Sequence, residues 1–188
     1  MYKKIFFAAV LFVTTMSVSA QKLSGNISPL KGQKEVNVEL DFTGTMVNNQ
    51  PEESHIAFFS KGKNDEETEK WLKEWNEDMR QESYAKLVAD LNKATVKKGF
   101  SVGNFTAAEY TIYVKVVNID PGAFLVTNSR VKAEVGFVRT GETTPFATAT
   151  YNYFSRSSNF VAPPVGRIAA AFGTLGDKIG STISKNLK

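Results

Sequence analysis

The 188-residue chain contains no cysteine. That absence excludes disulfides, thiolate nucleophiles and cysteine-bound zinc, and it removes the lipid-carrying cysteine by which a bacterial lipoprotein is tethered. Histidine is nearly absent: His55 is the only one, so a histidine-rich metal site is excluded and any catalytic triad would have to be built around it. Beyond the first twenty residues no apolar run approaches the roughly 20 residues a membrane helix needs. A strong charge of either sign is missing too, since 23 basic and 19 acidic side chains leave only +4. Nucleic acid is therefore not an expected partner. No repeat, nucleotide-binding glycine motif, G-x-S-x-G elbow or calcium-binding D-x-D-x-D-G loop is present, so no cofactor or metal is expected.

What is present begins with Met-Tyr-Lys-Lys, an apolar run from Ile5 to Val13, a polar stretch and Val18-Ser19-Ala20. Two lysines, an apolar segment too short for a bilayer of about 30 Å, and small residues at a cleavage site predict a signal peptide over 1–20. The remaining 168 residues, 21–188, are expected to form one exported domain, periplasmic or secreted. That length is enough for a core hiding about 70% of the unfolded surface.

Along the domain, Gln21 to Lys34 reads as an extended lead-in and Glu35 to Phe42 as a half-buried strand, with Val36, Val38, Leu40 and Phe42 alternating with polar residues. Pro51, Glu52 and Glu53 open a short helix that ends at Lys61-Gly62. From Asp65 to Lys98, apolar residues three or four apart predict one or two amphipathic helices, closed by Gly99. Tyr110 to Asp120, Arg130 to Arg139 and Phe146 to Phe154 alternate as strands of an antiparallel meander. Gly166 to Leu187 spaces Ile168, Phe172, Leu175, Ile179 and Ile183 as one helical stripe, within which Gly173, Gly176 and Gly180 point to close approach of that helix to the sheet. The order predicts an α+β, two-layer sandwich with helices packed on one face of a mainly antiparallel four- to five-stranded sheet.

Candidate chemistry is sparse. His55 lies one turn from Glu52, and an exposed helical ion pair is the favoured meaning. Glu39, Asp41 and Glu134 share the outer sheet face with Lys115, Arg130 and Lys132, as a solvated face would. Trp71 and Trp75, four apart, fit helix packing better than a sugar platform. More informative are two apolar loops that the meander places at one end of the sheet. One carries Phe124, Leu125 and Val126 after Pro121-Gly122. The other carries Phe160, Val161, Pro163 and Pro164, flanked by Arg156 and Arg167. Such loops either engage a partner or cap the core.

The run Leu30-Lys31-Gly32-Gln33-Lys34-Glu35-Val36-Asn37-Val38, the Ala108-Glu109-Tyr110-Thr111-Ile112 strand leading to Asp120-Pro121-Gly122, and the Gly166-Arg167-Ile168-Ala169 helix resemble uncharacterised secreted proteins of Gram-negative bacteria. The order of elements is similar to that of small envelope-associated domains of unknown function, often lipoproteins. The resemblance implies a fold and a compartment and no catalytic residue, and the missing cysteine departs from the lipoprotein pattern. The expectation is a non-catalytic binding module engaging a protein or envelope partner through Phe124, Leu125, Val126, Arg156, Phe160, Val161 and Arg167. The alternatives are a small secreted hydrolase acting on glycans or peptides, and a small-molecule carrier with a cavity lined by Trp75, Val114 and Phe172.

Overall fold

Residues 23–155, 158–161 and 164–187 are described by the structure, a computed structural model; the predicted signal peptide lies outside them. The lead-in holds a two-residue edge strand, β1 (Ser24–Gly25), and a 3-10 turn that buries Leu30. The alternating segment forms β2 (Glu35–Asp41). A small hairpin follows, β3 (Met46–Val47) and β4 (Gln50–Pro51). Asn48 and Asn49 turn it with φ of 53° and 61°, a left-handed pair that asparagine tolerates better than most residues.

Pro51 stands at the N-cap position of α1 (Glu52–Ser60) without a side-chain capping bond, and Asn64 caps α2 (Asp65–Lys73) through a reciprocal box with Glu67. A π-helical turn, Glu74–Asp78, joins α2 to α3 (Met79–Thr95). The buried positions Trp75, Met79, Ser83, Leu87, Leu91 and Thr95 recur every four residues. In a regular α-helix that spacing drifts by about 40° per step, and the wider π turn takes up part of the drift. A further 3-10 turn ends at Gly99, φ 92°, the left-handed cap the sequence predicts. Then come β5 (Ser101–Gly103), β6 (Tyr110–Asp120), β7 (Arg130–Arg139), β8 (Ala147–Phe154) and α4 (Pro164–Asn186).

The α+β class holds, but the sheet is mixed and has eight strands, correcting the mainly antiparallel sheet of four or five. Its order is β1-β8-β7-β6-β2-β5, with β3 beside β6 and β4 beside β3. The meander β6-β7-β8 is antiparallel as expected, whereas β2 pairs in parallel with both β5 and β6. The cause is the helical excursion. After β2 the helices return the chain to the end where β2 began, so the next strand runs in the same direction.

Residues 104–109 then make an unusually short parallel connection. Asn37 of β2 is level with Gly103 on one side and with Thr111 on the other. β6 therefore starts where β5 stops, and the chain crosses β2 at the height of Asn37 without running back. Asn37 is buried there, donating to Glu39 Oε1 at 2.9 Å and Thr111 Oγ1 at 3.3 Å.

Leu87 and Leu91 of α3 and Ile168, Phe172, Leu175, Ile179 and Ile183 of α4 join one apolar cluster with Val36, Val38, Ile112, Val114, Val135, Phe137 and Tyr151 of the sheet. The glycines of α4 serve a different contact from the expected one. A Cβ on Gly176 would collide with the carbonyl of Leu87, and one on Gly180 would lie 2.7 Å from Ala94 Cβ. These glycines admit α3, a helix, and not the sheet. No helix among the described residues is long and apolar enough to cross a membrane.

Candidate functional site

The loop between β6 and β7 is built to hold one shape. Gly122 takes φ of 65°, and a Cβ there would fall 2.6 Å from Thr127 O and 2.7 Å from Ser129 N. Its N–H donates to Asp120 Oδ1 at 3.0 Å. Ala123 and Thr127 exchange backbone hydrogen bonds of 3.0 Å in each direction, a single hairpin rung with Phe124, Leu125 and Val126 at its tip. Leu125 is left-handed, φ 59°, which costs a residue with a Cβ about 1–2 kcal/mol. Phe124, Leu125 and Val126 are 47%, 61% and 75% exposed.

The segment before α4 is fastened to this loop. Ser129 N–H donates to Ser158 Oγ at 2.8 Å, and Ser155 N–H donates to Ser129 O at 3.1 Å. Arg167 is 6% exposed and lies beneath both segments. Its Nε donates to Pro121 O at 3.1 Å and its Nη1 to Val161 O at 2.9 Å. One buried guanidinium therefore ties the two segments to the first turn of α4. Phe160 is 67% exposed. Val161 is half-buried, and its Cγ1 would be 2.9 Å from a Cβ on Gly166. Arg156 lies outside the described residues.

A second cluster, missed as a unit by the sequence reading, forms where α1 meets α2 and the π turn. His55 packs 4.6 Å from Phe59, 4.6 Å from Trp75 and 6.0 Å from Trp71, centroid to centroid. Phe59 and Trp71 are parallel within 7°, and Trp71 and Trp75 within 13°. Trp75 is buried as packing predicts, and its Nε1 donates to Glu52 Oε1 at 2.8 Å. Arg80 pairs with the same carboxylate at 3.2 Å. Phe58 and Phe59 stay 72% and 40% exposed, and α1 buries no residue.

Loss of hydration among these rings pulls the His55 pKa below its ordinary 6.5, with the Glu52 carboxylate opposing that shift. The folded state thus disfavours the imidazolium more than the unfolded chain does. The contribution to stability is complete above pH 6.5 and is lost as pH falls through 6.5 toward the lower folded value. Thermal melts from pH 8 to pH about 5 should show this decline in the natural chain and a flatter dependence in His55→Gln. Equal slopes in both would remove His55 as its source.

On the outer sheet face, the Tyr113 hydroxyl donates to Asp41, and Lys115 stands opposite Glu134 in the register. Burial raises the Tyr113 pKa, and the neighbouring Asp41 carboxylate adds to it. These are cross-strand polar pairs on a wetted surface. Among the described residues no group of three or more histidine, aspartate or glutamate side chains could hold a metal ion. Trp75, Val114 and Phe172, the lining a carrier cavity would need, belong to the closely packed core.

Fold and surface together describe an α+β domain with a mixed sheet covered on one face by helices, displaying apolar loops at one end. No family model matches the chain, and no curated protein matches it. Among solved structures it is similar to a PelC dodecamer from Paraburkholderia phytofirmans, at 10% identity over 82% of this chain and 97% of that one, TM-score 0.43. A PelC dodecamer with one substitution, from the same organism, is 8% identical over 90% and 100% of the two chains, TM-score 0.47. A Xanthomonas campestris protein of the DUF330 family is 9% identical over 89% and 95%, TM-score 0.37. No site residue and no activity is carried over from them.

Proposed function

We propose that this chain is a non-catalytic, exported binding module that engages a protein or another envelope component through the joined loops bearing Phe124, Leu125, Val126 and Phe160. The observation that carries this reading is their exposure on a braced backbone. Side chains that merely capped the core would be covered, whereas these four are 47% to 75% exposed. The loop tip holds its shape through a left-handed leucine, a glycine that admits no Cβ and a buried arginine strut. Holding a surface rigid before contact reduces the ordering cost of binding. Three consecutive exposed apolar residues supply the contact area.

Changing Phe124 and Phe160 together to Ser tests the reading on two axes. Surface substitutions away from packed features change stability by no more than about 0.5 kcal/mol, so the melting temperature should stay nearly constant. A pull-down from detergent-solubilised envelope should retain a partner with the natural chain and lose it with the folded double variant. A large fall in melting temperature would show that the loops cap the core. Equal retention by both chains would place binding elsewhere.

A further inference from the structure

We propose that the outer edge of β8, from Thr150 to Phe154, is a self-association site at which a second copy of this chain pairs antiparallel, joining two sheets into one across a two-fold axis at Asn152. β1 covers only the start of that edge: Ser24 pairs with Thr148 and Gly25 with Ala147. Among the described residues no other segment runs beside β8 on that side.

The ladder fixes which backbone groups the edge offers. Ser155 N–H donates to Ser129 O at 3.1 Å, and β7 and β8 keep one register from Arg130 opposite Phe154 to Phe137 opposite Ala147. Successive residues of a strand turn their N–H and C=O to opposite sides. Odd positions therefore serve β7, and Thr150, Asn152 and Phe154 point outward. The side chains of Thr150 and Asn152 are exposed as well.

Elsewhere the sheet closes its edges. On β5, Ser101 N–H donates to Lys34 O at 2.9 Å beside β2, which turns Val102 outward. There the Asn92 side chain accepts from Val102 N–H and donates to Val102 O, both at 2.8 Å, in the place of a neighbouring strand. β4 ends on Pro51, which has no N–H to offer. Charge, proline and bulges are the other means of blunting an edge. β8, Ala-Thr-Ala-Thr-Tyr-Asn-Tyr-Phe, has none of them, whereas β2, β6 and β7 all carry charge.

This strand suits its own copy. Centred on Asn152, antiparallel pairing sets Tyr151 opposite the partner's Tyr153 and brings no like charges together. Two facing asparagines each donate and accept, and aromatic pairs across strands are favourable. Tyr151 is buried and donates to Thr182 Oγ1 of α4 at 3.1 Å, but Tyr153 is left partly exposed. The second copy covers it. α4 lies over β7 and β8, one strand spacing of about 4.8 Å from the axis, so the two α4 helices would pass about 10 Å apart, an ordinary packing distance. A folded copy also presents its strand already extended, without the ordering cost that a disordered peptide bears.

Sedimentation velocity of the purified protein at up to about 100 µM should show a two-protomer species that dissociates on dilution. Asn152→Pro removes only an outward N–H, which an edge strand tolerates. That variant should keep a native melting curve and sediment as one protomer at every concentration. Asn152→Lys and Asn152→Asp should each weaken association about tenfold, since like charges then face across the axis, and an equimolar mixture of the two should recover it. A natural chain that stays a single protomer throughout the range would overturn the site. So would association undiminished in a folded Asn152→Pro variant, or a mixture of the charged variants that recovers nothing.

Discussion

Replacing Gly176 with alanine is expected to lower the stability of the fold by about 1–2 kcal/mol, against the direction that helix propensity predicts. In an exposed helix the change would stabilise by about 1 kcal/mol, because glycine has more backbone freedom to lose. Here the new methyl would lie 3.1 Å from the carbonyl carbon and 3.2 Å from the Cα of Leu87, and closer still to its oxygen. Those are backbone atoms inside α3, so no rotamer can relieve the overlap and one helix must move. Overpacking of this kind costs about 1–3 kcal/mol, sometimes more. For a domain of this size the loss corresponds to a fall in melting temperature of roughly 2–8 °C. Gly173→Ala is the internal control. Its Cβ would meet the side chains of Asp90 and Lys86, which can swing aside, so the helix-propensity gain should hold the net change near zero. Equal melting temperatures for the two variants would mean that α3 and α4 are not held at this separation.

Arg167→Met should also be strongly destabilising, by about 3 kcal/mol, and its effect should be localised. The methionine keeps much of the apolar stem but removes the donors to Pro121 O and Val161 O. Hydrogen bonds from a charged group are worth roughly 1.5–3 kcal/mol each, and the carbonyls stay partly buried without them. The guanidinium joins two segments that are distant in sequence, so its loss should free the β6–β7 loop before the sheet itself melts. Limited proteolysis should therefore cut first between Pro121 and Ser129 under conditions where the natural chain resists. Amide exchange in β7, by contrast, should change little. Exchange accelerated uniformly across the sheet would assign Arg167 a global packing role and leave the loops without their strut.

These two residues also show how far the sequence could be read. The period-two alternation of β2, β6, β7 and β8 and the stripe of α4 are local patterns, and each produced the expected element. Strand pairing is not local. Nothing in Val36-Asn37-Val38 records that Val102 and Ile112 become its neighbours, and β5, with three residues, is too short to show a period. The helical stretch between β2 and β5 was itself the signal for parallel pairing, since a crossover returns the chain to its starting end. The π turn at Glu74–Asp78 was not legible, because the same four-residue spacing of buried positions continues from Met79 to Thr95 through regular α-helix. The apolar loops were visible as runs of Phe, Leu and Val beside turn residues. Arg167 was visible only as a flanking charge, because its burial depends on two loops closing over it. The His55, Phe59 and Trp71 cluster joins two helices across Lys61–Asn64, and no periodicity links them. Phe58 and Phe59 in a helix without an apolar stripe were the available hint.

The crossing of 104–109 over β2 has a consequence for the order in which the molecule can assemble. β2 is the first long strand to be synthesised and lies inside the sheet, yet Ile112, the neighbour of Val38, comes from β6, far later in the chain. Any shorter nascent chain therefore contains an alternating apolar strand with its principal hydrogen-bonding edge unoccupied. Such edges are where chains adhere to one another, and pairing across so long a separation is slow. The interval between the emergence of β2 and that of β6 is therefore the window in which this strand is most open to association with other extended segments.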